Sequence, residues 1–403
     1  MSSLAKLLRR CLVAKGAGVV NHNPRTNINA IAQSVRSIIA VGRSSLFTKS
    51  ESRLSRSQTF LPNMTLLDQI RASNARLAEA TTPRTAVFVG ATDGIGKRAL
   101  LELVSTGFPL KAYIIGRHEA RDQLLLEELH TINKNAKLIY LEGQVSLMSE
   151  VKRLTDVILG KEKTIDLLYH SAGFLPFQGS QETTEGLELC FAVAHYSRFA
   201  FISRLLPKLQ AAARTGPGHY RPRVISILAA GYESADLFLN DLTLKEPGHF
   251  SIPAYAKHVA TMVTISMKRF AEQPENQNIV FVHAHPGRVA TELLKKSWGD
   301  KWDPSAPPAA APSSGNFDRF TLEEAGQKAL YLMTSAEYGG TGVEISKERS
   351  AALTLTHQTG GSLFSVNDKM EYLQQDSLLS ALEAGGAVEA IWHHSEETLA
   401  PWF

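Results

Sequence analysis

The chain has 403 residues, 44% of them hydrophobic and 20% charged, the composition of an ordinary globular protein with ample core. No apolar run approaches the roughly 18–20 residues that span a bilayer, and two cysteines, Cys11 and Cys190, exclude a disulfide framework, so an intracellular reducing compartment is expected. The net charge of +4 is concentrated in residues 1–63, which hold ten Lys/Arg and a single acid, Glu51. The remainder is net acidic, and nothing argues for nucleic-acid binding.

Residues 1–63 open with Leu4, Leu7, Leu8, Cys11 and Leu12 at helical spacing, with Lys6, Arg9 and Arg10 on the other side. The segment stays Arg- and Ser-rich to Arg56, which describes a mitochondrial transit peptide or a basic disordered extension; Met64 also makes a sensible start. The protein is expected in mitochondria if this leader acts as a presequence and in the cytoplasm otherwise. Thr65-Leu66-Leu67-Asp68 has the pattern of a capping box, and a short helix is expected from it up to Ala80.

Strand-like runs then occur at Thr85–Val89, Lys111–Ile115, Lys137–Leu141, Ile165–Tyr169, Arg223–Leu228 and Asn278–His283. Between them lie helical patterns at Gly96–Ser105, Glu119–Ile132, Leu147–Leu159, Glu182–Ala212 and Ala254–Glu272. Such alternation predicts an α/β fold, a doubly wound parallel sheet with helices on both faces. It lapses after Thr291. Trp298–Asn316 carries four prolines and is expected to be a loop or lid over about 297–320, ahead of a helix at Leu322–Thr334, a last strand at Ser362–Val366 and a helical tail. One domain is expected over 64–403, with a core at 84–293 and a C-terminal extension at 321–403.

The chemistry centres on Val87-Phe88-Val89-Gly90-Ala91-Thr92-Asp93-Gly94-Ile95-Gly96-Lys97. An apolar strand enters it and a helix leaves it, and Gly90, Gly94 and Gly96 let the backbone turn sharply and approach a ligand closely. Amides at a helix start, with the helix dipole behind them, suit a pyrophosphate.

These landmarks together resemble the short-chain dehydrogenase/reductase family. Its Gly-rich loop is matched by Gly90, Gly94 and Gly96, with Val89 in place of the usual Thr; its Asn-Asn-Ala-Gly appears as His170-Ser171-Ala172-Gly173; its Pro-Gly is Pro286-Gly287, followed by Val289 and Thr291. The resemblance covers about Arg84–Leu293 and implies a dinucleotide held by the loop residues Gly90 to Gly96, including Thr92, Asp93 and Ile95, by Ala172 and Gly173, and by Pro286, Gly287, Val289 and Thr291. Cofactor choice is read at the second strand's end, where a carboxylate would accept from the ribose hydroxyls of NAD and an arginine pairs with the 2′-phosphate of NADP. Gly116-Arg117 stands there and favours NADP, with NAD as the alternative; Arg117 could also be an ordinary solvated helix-start residue, and Asp93 counts the other way. Gln144-Val145 replaces the family's Asp-Val beside the adenine. Ser73-Asn74-Ala75-Arg76, His195-Tyr196-Ser197-Arg198 and Val388-Glu389-Ala390-Ile391-Trp392-His393 look most similar to a divergent fungal group, many of whose members sit among secondary-metabolite genes.

The resemblance also implies hydride transfer coupled to proton transfer through a tyrosine, with a lysine four residues on, a serine after the fifth strand and an asparagine on the fourth helix. None of the ten tyrosines has a lysine four residues later. Tyr255 is the best candidate, but Val259 holds the lysine's place. Lys257 falls on the opposite helix face, whereas His258 shares Tyr255's face and is either a catalytic donor or an incidental helix histidine. Ala229 or Leu228 fills the serine position and Ala194 the asparagine position. Tyr232 presents a hydroxyl near the strand exit or simply packs at the surface. His283-Ala284-His285 is a weak metal pattern, since alternation points the rings apart, and no metal is expected.

Two functions stay open. One is an NADP-dependent oxidoreductase on a carbonyl or alcohol, with Tyr255 as proton donor and a fungal secondary metabolite as the substrate class the resemblance implies; the particular substrate and assembly into a homo-oligomer are left open. The other is a non-catalytic protein that keeps the fold and binds the nucleotide as a sensor or structural partner.

Overall fold

The strand leading into the glycine loop, β1 (Thr85–Val89), is buried along its whole length. That is why its text is continuously apolar instead of alternating. In the computed structural model, which describes residues 64–214, 220–299 and 320–403, six further strands join it: β2 (Leu110–Gly116), β3 (Ala136–Glu142), β4 (Leu167–His170), β5 (Arg223–Ile227), β6 (Val280–Ala284) and β7 (Leu363–Val366). All pair in parallel, in the order β3-β2-β1-β4-β5-β6-β7. The order reverses between β1 and β4, which opens a crevice above their carboxyl ends. The doubly wound sheet expected from the alternation is present. The leader 1–63 and most of the Pro-rich stretch expected as a lid lie outside the described residues.

The first helix, α1 (Leu66–Asn74), starts on a complete capping box between Thr65 and Asp68. It stops at Asn74, short of the expected Ala80, and a 3₁₀ turn at Glu79–Thr81 follows. The helices α2 (Gly94–Val104), α3 (Glu119–Ile132), α4 (Met148–Lys161), α5 (Ser197–Ala213), α6 (Ile252–Ala271), α7 (Leu293–Trp298) and α8 (Leu322–Thr334) connect the strands. One apolar cluster joins Val87, Val89 and Leu168 of the sheet to Val151, Phe201 and Met262 of α4, α5 and α6. A second joins Ala86, Phe88 and Ile114 to Leu100, Leu125 and Tyr331 of α2, α3 and α8. Each fully buried side chain of this size is worth about 2–3 kcal/mol of transfer free energy.

The helix expected over Glu182–Ala212 is shorter at its start. Gly186 takes a φ of +75°, and Glu182 pairs with Glu188 in an antiparallel bridge. The left-handed residue breaks helical continuation, and Glu188 instead accepts the Phe191 N–H at 2.8 Å. A π-helical turn at Ala192–Tyr196 then leads into α5. Extra residues of this kind are frequent near functional sites.

The tail forms α9 (Asp376–Ala384) and α10 (Ala387–Leu399). Trp392 of α10 packs between Phe199 and Phe270, with ring centroids 5.0 and 4.9 Å away. His195 and Tyr196 of the π turn bond to Ser395 and His394 at 2.8 and 2.6 Å. The C-terminal extension therefore braces the outer faces of α5 and α6.

Candidate active site at the carboxyl edge of the sheet

The β1–α2 turn is shaped by close approach. Gly90 has a φ of +89°, and a Cβ there would lie 2.5 Å from the Ala172 amide nitrogen. A Cβ on Gly96 would lie 2.3 Å from both Gly90 O and Ser171 Oγ. The loop thus lies hard against the β4 exit, and Ser171 Oγ donates to Gly90 O at 3.3 Å. Asp93 caps α2, accepting the Gly94 N–H at 2.7 Å. The following amides, Ile95 and Gly96, lie in the first helical turn, where no intrahelical acceptor exists. Amides so placed suit an anion. Residues that fill these gaps would exclude it, so the glycines fit a dinucleotide pyrophosphate.

The other sequence-predicted positions line the same edge. A Cβ at Gly116 would strike Tyr140 Oη at 2.1 Å and Thr92 Cγ2 at 2.6 Å, so the β2 exit also needs glycine. The next residue, Arg117, is exposed and makes no ion pair among the described residues. Gln144, at the β3 exit, is exposed and donates to Ser146 Oγ at 2.9 Å, beside a partly buried Val145. Ala172 and Gly173 follow β4. After β6, Pro286 leads into Gly287, whose φ is +75° and whose Cβ would meet Phe320 at 2.5 Å. Val289 bridges Phe320. Thr291 stands over the glycine loop, its Cγ2 3.5 Å from a Cβ built on Gly94.

Helix α7 continues from that turn back across the loop. Lys296 pairs with the Asp93 carboxylate, Ser297 Oγ accepts the Leu175 N–H at 3.0 Å, and Trp298 stacks on Phe177 at 4.7 Å. The carboxylate beside the anion cradle is thereby neutralised by a side chain from the β6–β7 connection. Asn at position 93 would keep the helix cap and remove the negative charge. Asp93→Asn should therefore bind NADPH about two- to fivefold more tightly, measured by fluorescence titration at low salt, with the gain shrinking as salt rises. Unchanged or weaker affinity would mean that the carboxylate does not oppose the phosphate.

The proton-transfer half is arranged differently. Ala194 lies buried in the π turn and Val259 is buried in α6. Tyr255 is 4% exposed and meets Phe191 edge-on at 5.1 Å. Burial, with the Cys190 thiol and the Glu188 carboxylate nearby, holds its phenol well above the ordinary range; a lysine would have done the opposite. His258 uses both ring nitrogens on backbone: Nδ1 donates to Leu242 O at 3.0 Å, and Nε2 accepts the Phe238 N–H at 3.1 Å. An amide can only donate, which fixes this tautomer and leaves His258 no free nitrogen for Tyr255. Lys257 points away, as its spacing requires, and pairs with Asp236 at 2.7 Å.

Three buried groups escaped the sequence reading. Arg198 is 2% exposed and has no carboxylate partner among the described residues. It donates to Ser226 Oγ, Val193 O, Ala194 O and Ile227 O at 2.8–3.1 Å. Burial pushes it down to about 9, so the guanidinium stays charged at neutral pH while pinning the π turn to the end of β5. Its spacing to Phe201, Ile202 and Leu205 on the apolar face of α5 was the available signal. Arg223 opens β5 fully buried and binds the last carbonyls of α8. The third group is a chain of hydrogen bonds. The Ala229 N–H donates to His283 Nε2 at 3.2 Å, His283 Nδ1 donates to Thr264 Oγ at 2.7 Å, and Thr264 donates to Glu233 at 2.6 Å. His283, pushed down to about 3 by burial, is neutral, as this direction of donation requires. Among the described residues no cluster of three or more metal-ligating side chains occurs.

A parallel sheet with this strand order and a glycine-lined anion cradle after its first strand defines a doubly wound dinucleotide-binding protein. The comparisons with known proteins sharpen that class. The family model described as short chain dehydrogenase matches residues 84–217. The NmrA-like family domain-containing oxidoreductase notO of Aspergillus sp. (strain MF297-2) is 30% identical over 339 residues, covering 84% of this chain and 96% of that one. Oxidoreductase AN1596 of Emericella nidulans is 31% identical over 350 residues, covering 83% and 98%. Among solved structures, NADPH-bound carbonyl reductase from chicken fatty liver is similar at a TM-score of 0.48 and 16% identity, covering 75% and 98%. The chain belongs to the short-chain dehydrogenase/reductase family.

Proposed function

We propose that this protein is an NADP-dependent oxidoreductase that interconverts a carbonyl and an alcohol, with a small fungal metabolite as substrate. The observation that carries the NADP preference is Arg117, an exposed guanidinium with no ion-pair partner among the described residues, directly after Gly116 at the β2 exit. A fork of N–H donors suits a phosphate dianion better than ribose hydroxyls. Gly90, Gly94 and Gly96 would hold the pyrophosphate, and Thr291 and Val289 the far end of the dinucleotide. When bound, the cofactor supplies the hydride.

The test is direct. NADPH should bind more tightly than NADH by fluorescence titration, and Arg117→Glu should weaken NADPH at least tenfold while leaving NADH within about twofold. Equal affinity of the wild type for both cofactors would sink the NADP assignment. A second reading rests on Tyr255, buried with Val259 in the lysine's place. Under it, the protein binds the nucleotide without turning over, as a sensor or structural partner. NADPH oxidation across a carbonyl panel separates the two. Under this reading the protein enters mitochondria if the leader, 1–63, acts as a presequence and stays in the cytoplasm otherwise; N-terminal sequencing of the native protein tests the leader's removal.

A further inference from the structure

Tyr232 sits two residues beyond the alanines that follow β5, on the carboxyl edge of the sheet, and is 52% exposed. Its ring lies 5.1 Å from that of His285, tilted by 51°. His285 is the residue that leads β6 into the Pro286-Gly287 turn, so the pair bridges the two strand exits that border the far end of the crevice. An exposed surface tyrosine needs no support, yet this one stands on a turn held from three directions. The Tyr232 N–H donates to Ala229 O at 3.1 Å. The neighbouring Gly231 N–H donates to Glu233 at 2.7 Å, and Gln375 from the tail donates to the same carboxylate at 2.8 Å. The Glu233 side chain is 1% exposed and ends the hydrogen-bond chain that starts at the Ala229 amide and runs through His283 and Thr264. A buried network of this cost is expected where a side chain must be held still for chemistry.

Resting on the oxidoreductase reading, we infer that Tyr232 is the catalytic acid and His285 the group that returns its proton, in place of the tyrosine–lysine pair of the family. In the reduction direction the Tyr232 O–H bond breaks as an O–H bond forms on the substrate oxygen, whose carbon receives the hydride that the dinucleotide supplies. The tyrosinate then takes a proton from solvent through His285. The charged and titratable groups facing His285 are Tyr232 from the β5 exit, Asp368 from the β7 exit, Lys328 from α8 and the neutral His283 of β6. Tyr255 has the opposite properties: it is enclosed and packed on Phe191, and burial outweighs the lowering effect of the nearby Arg198 guanidinium, so its phenol stays well above the ordinary range.

The experiment compares the full chain with Tyr232→Phe, Tyr255→Phe and His285→Asn, using nitrobenzaldehyde and phenanthrenequinone as carbonyl probes. Tyr232→Phe should lower kcat about a hundredfold with NADPH affinity within about twofold, and Tyr255→Phe should stay within about threefold. His285→Asn should lower kcat more than KM and move the pH profile. A readout free of turnover is tyrosine nitration by tetranitromethane, mapped by mass spectrometry: Tyr232 should react, Tyr255 should not, and NADPH should protect Tyr232. Failure of NADPH to bind would overturn the cofactor reading itself. Binding without protection of Tyr232, protection without turnover of either probe, or turnover lost in Tyr255→Phe and kept in Tyr232→Phe would each overturn this inference alone.

Discussion

Gly96→Val should raise the NADPH dissociation constant by more than a hundredfold. In an open helix position, replacing glycine would stabilise the chain by up to about 1 kcal/mol. Here the sign reverses, because even a Cβ would lie 2.3 Å from Gly90 O and from Ser171 Oγ. Ser171 Oγ can rotate aside, but Gly90 O is backbone and cannot, so α2 must back away from the loop. Overpacking of this kind costs about 1–3 kcal/mol in stability. It also displaces the Ile95 and Gly96 amides from the anion they would bind, and every 1.4 kcal/mol lost there is about tenfold in affinity. Gly94→Ala is the control. Its nearest neighbour, Thr291 Cγ2, stands 3.5 Å from the new Cβ, so space is available and only the φ of +56° is strained. That change should cost about tenfold or less. Equal effects at the two positions would show that packing against Ser171 does not shape the cradle.

Arg223→Met should destabilise the protein by about 3 kcal/mol or more and lower its melting temperature by on the order of 5–10 °C. Replacing a buried charge by an apolar side chain is often harmless when its partner charge leaves too. Arg223 has no such partner among the described residues. It donates to Leu332 O at 2.7 Å, Ser335 O at 2.8 Å and Thr341 O at 2.6 Å, and its guanidinium lies 5.6 Å from the Tyr220 ring. Two of these acceptors belong to the end of α8, where the carbonyls lack intrahelical donors and the helix dipole is negative. Methionine would leave all three without this donor, two of them buried and the third half-buried. Differential scanning calorimetry checks this, with Arg223→Lys expected to recover part of the loss. A shift under about 1 kcal/mol would mean that water replaces the guanidinium.

The fold and the glycine geometry at its carboxyl edge were legible in the text for related reasons. Strand–glycine loop–helix alternation follows from burial on both sheet faces and from backbone geometry that only glycine tolerates, and both leave marks within a few residues of one another. Gly90, Gly96, Gly116 and Gly287 were each needed at the place where the text put glycine. The helix boundaries that moved did so for local causes of a subtler kind. Gly186 in a left-handed conformation cut the helix expected from Glu182, and α1 ended at Asn74 although apolar spacing ran further.

The charged core residues were the illegible part. Arginine is rarely buried, so nothing in the text marked Arg198 and Arg223 as core, whereas two of Arg198's four bonds and all three of Arg223's come from distant segments and hold them inside. His258 shows the same limit from the other side. Its spacing from Tyr255 was right, but Leu242 O and the Phe238 amide, residues from the β5–α6 connection, occupy both of its nitrogens.

What the sequence determined by itself, then, was the doubly wound sheet, the glycine positions of the β1–α2 turn and the absence of the tyrosine–lysine pair, because periodicity, glycine and residue identity are local properties. Only the tertiary structure decided which polar groups face one another: the neutral His283 between Ala229 and Glu233, the Lys296–Asp93 pair across the glycine loop, and the meeting of Tyr232 with His285. Those contacts join residues far apart in the chain, and their free energy depends on burial and direction of donation, neither of which residue order records.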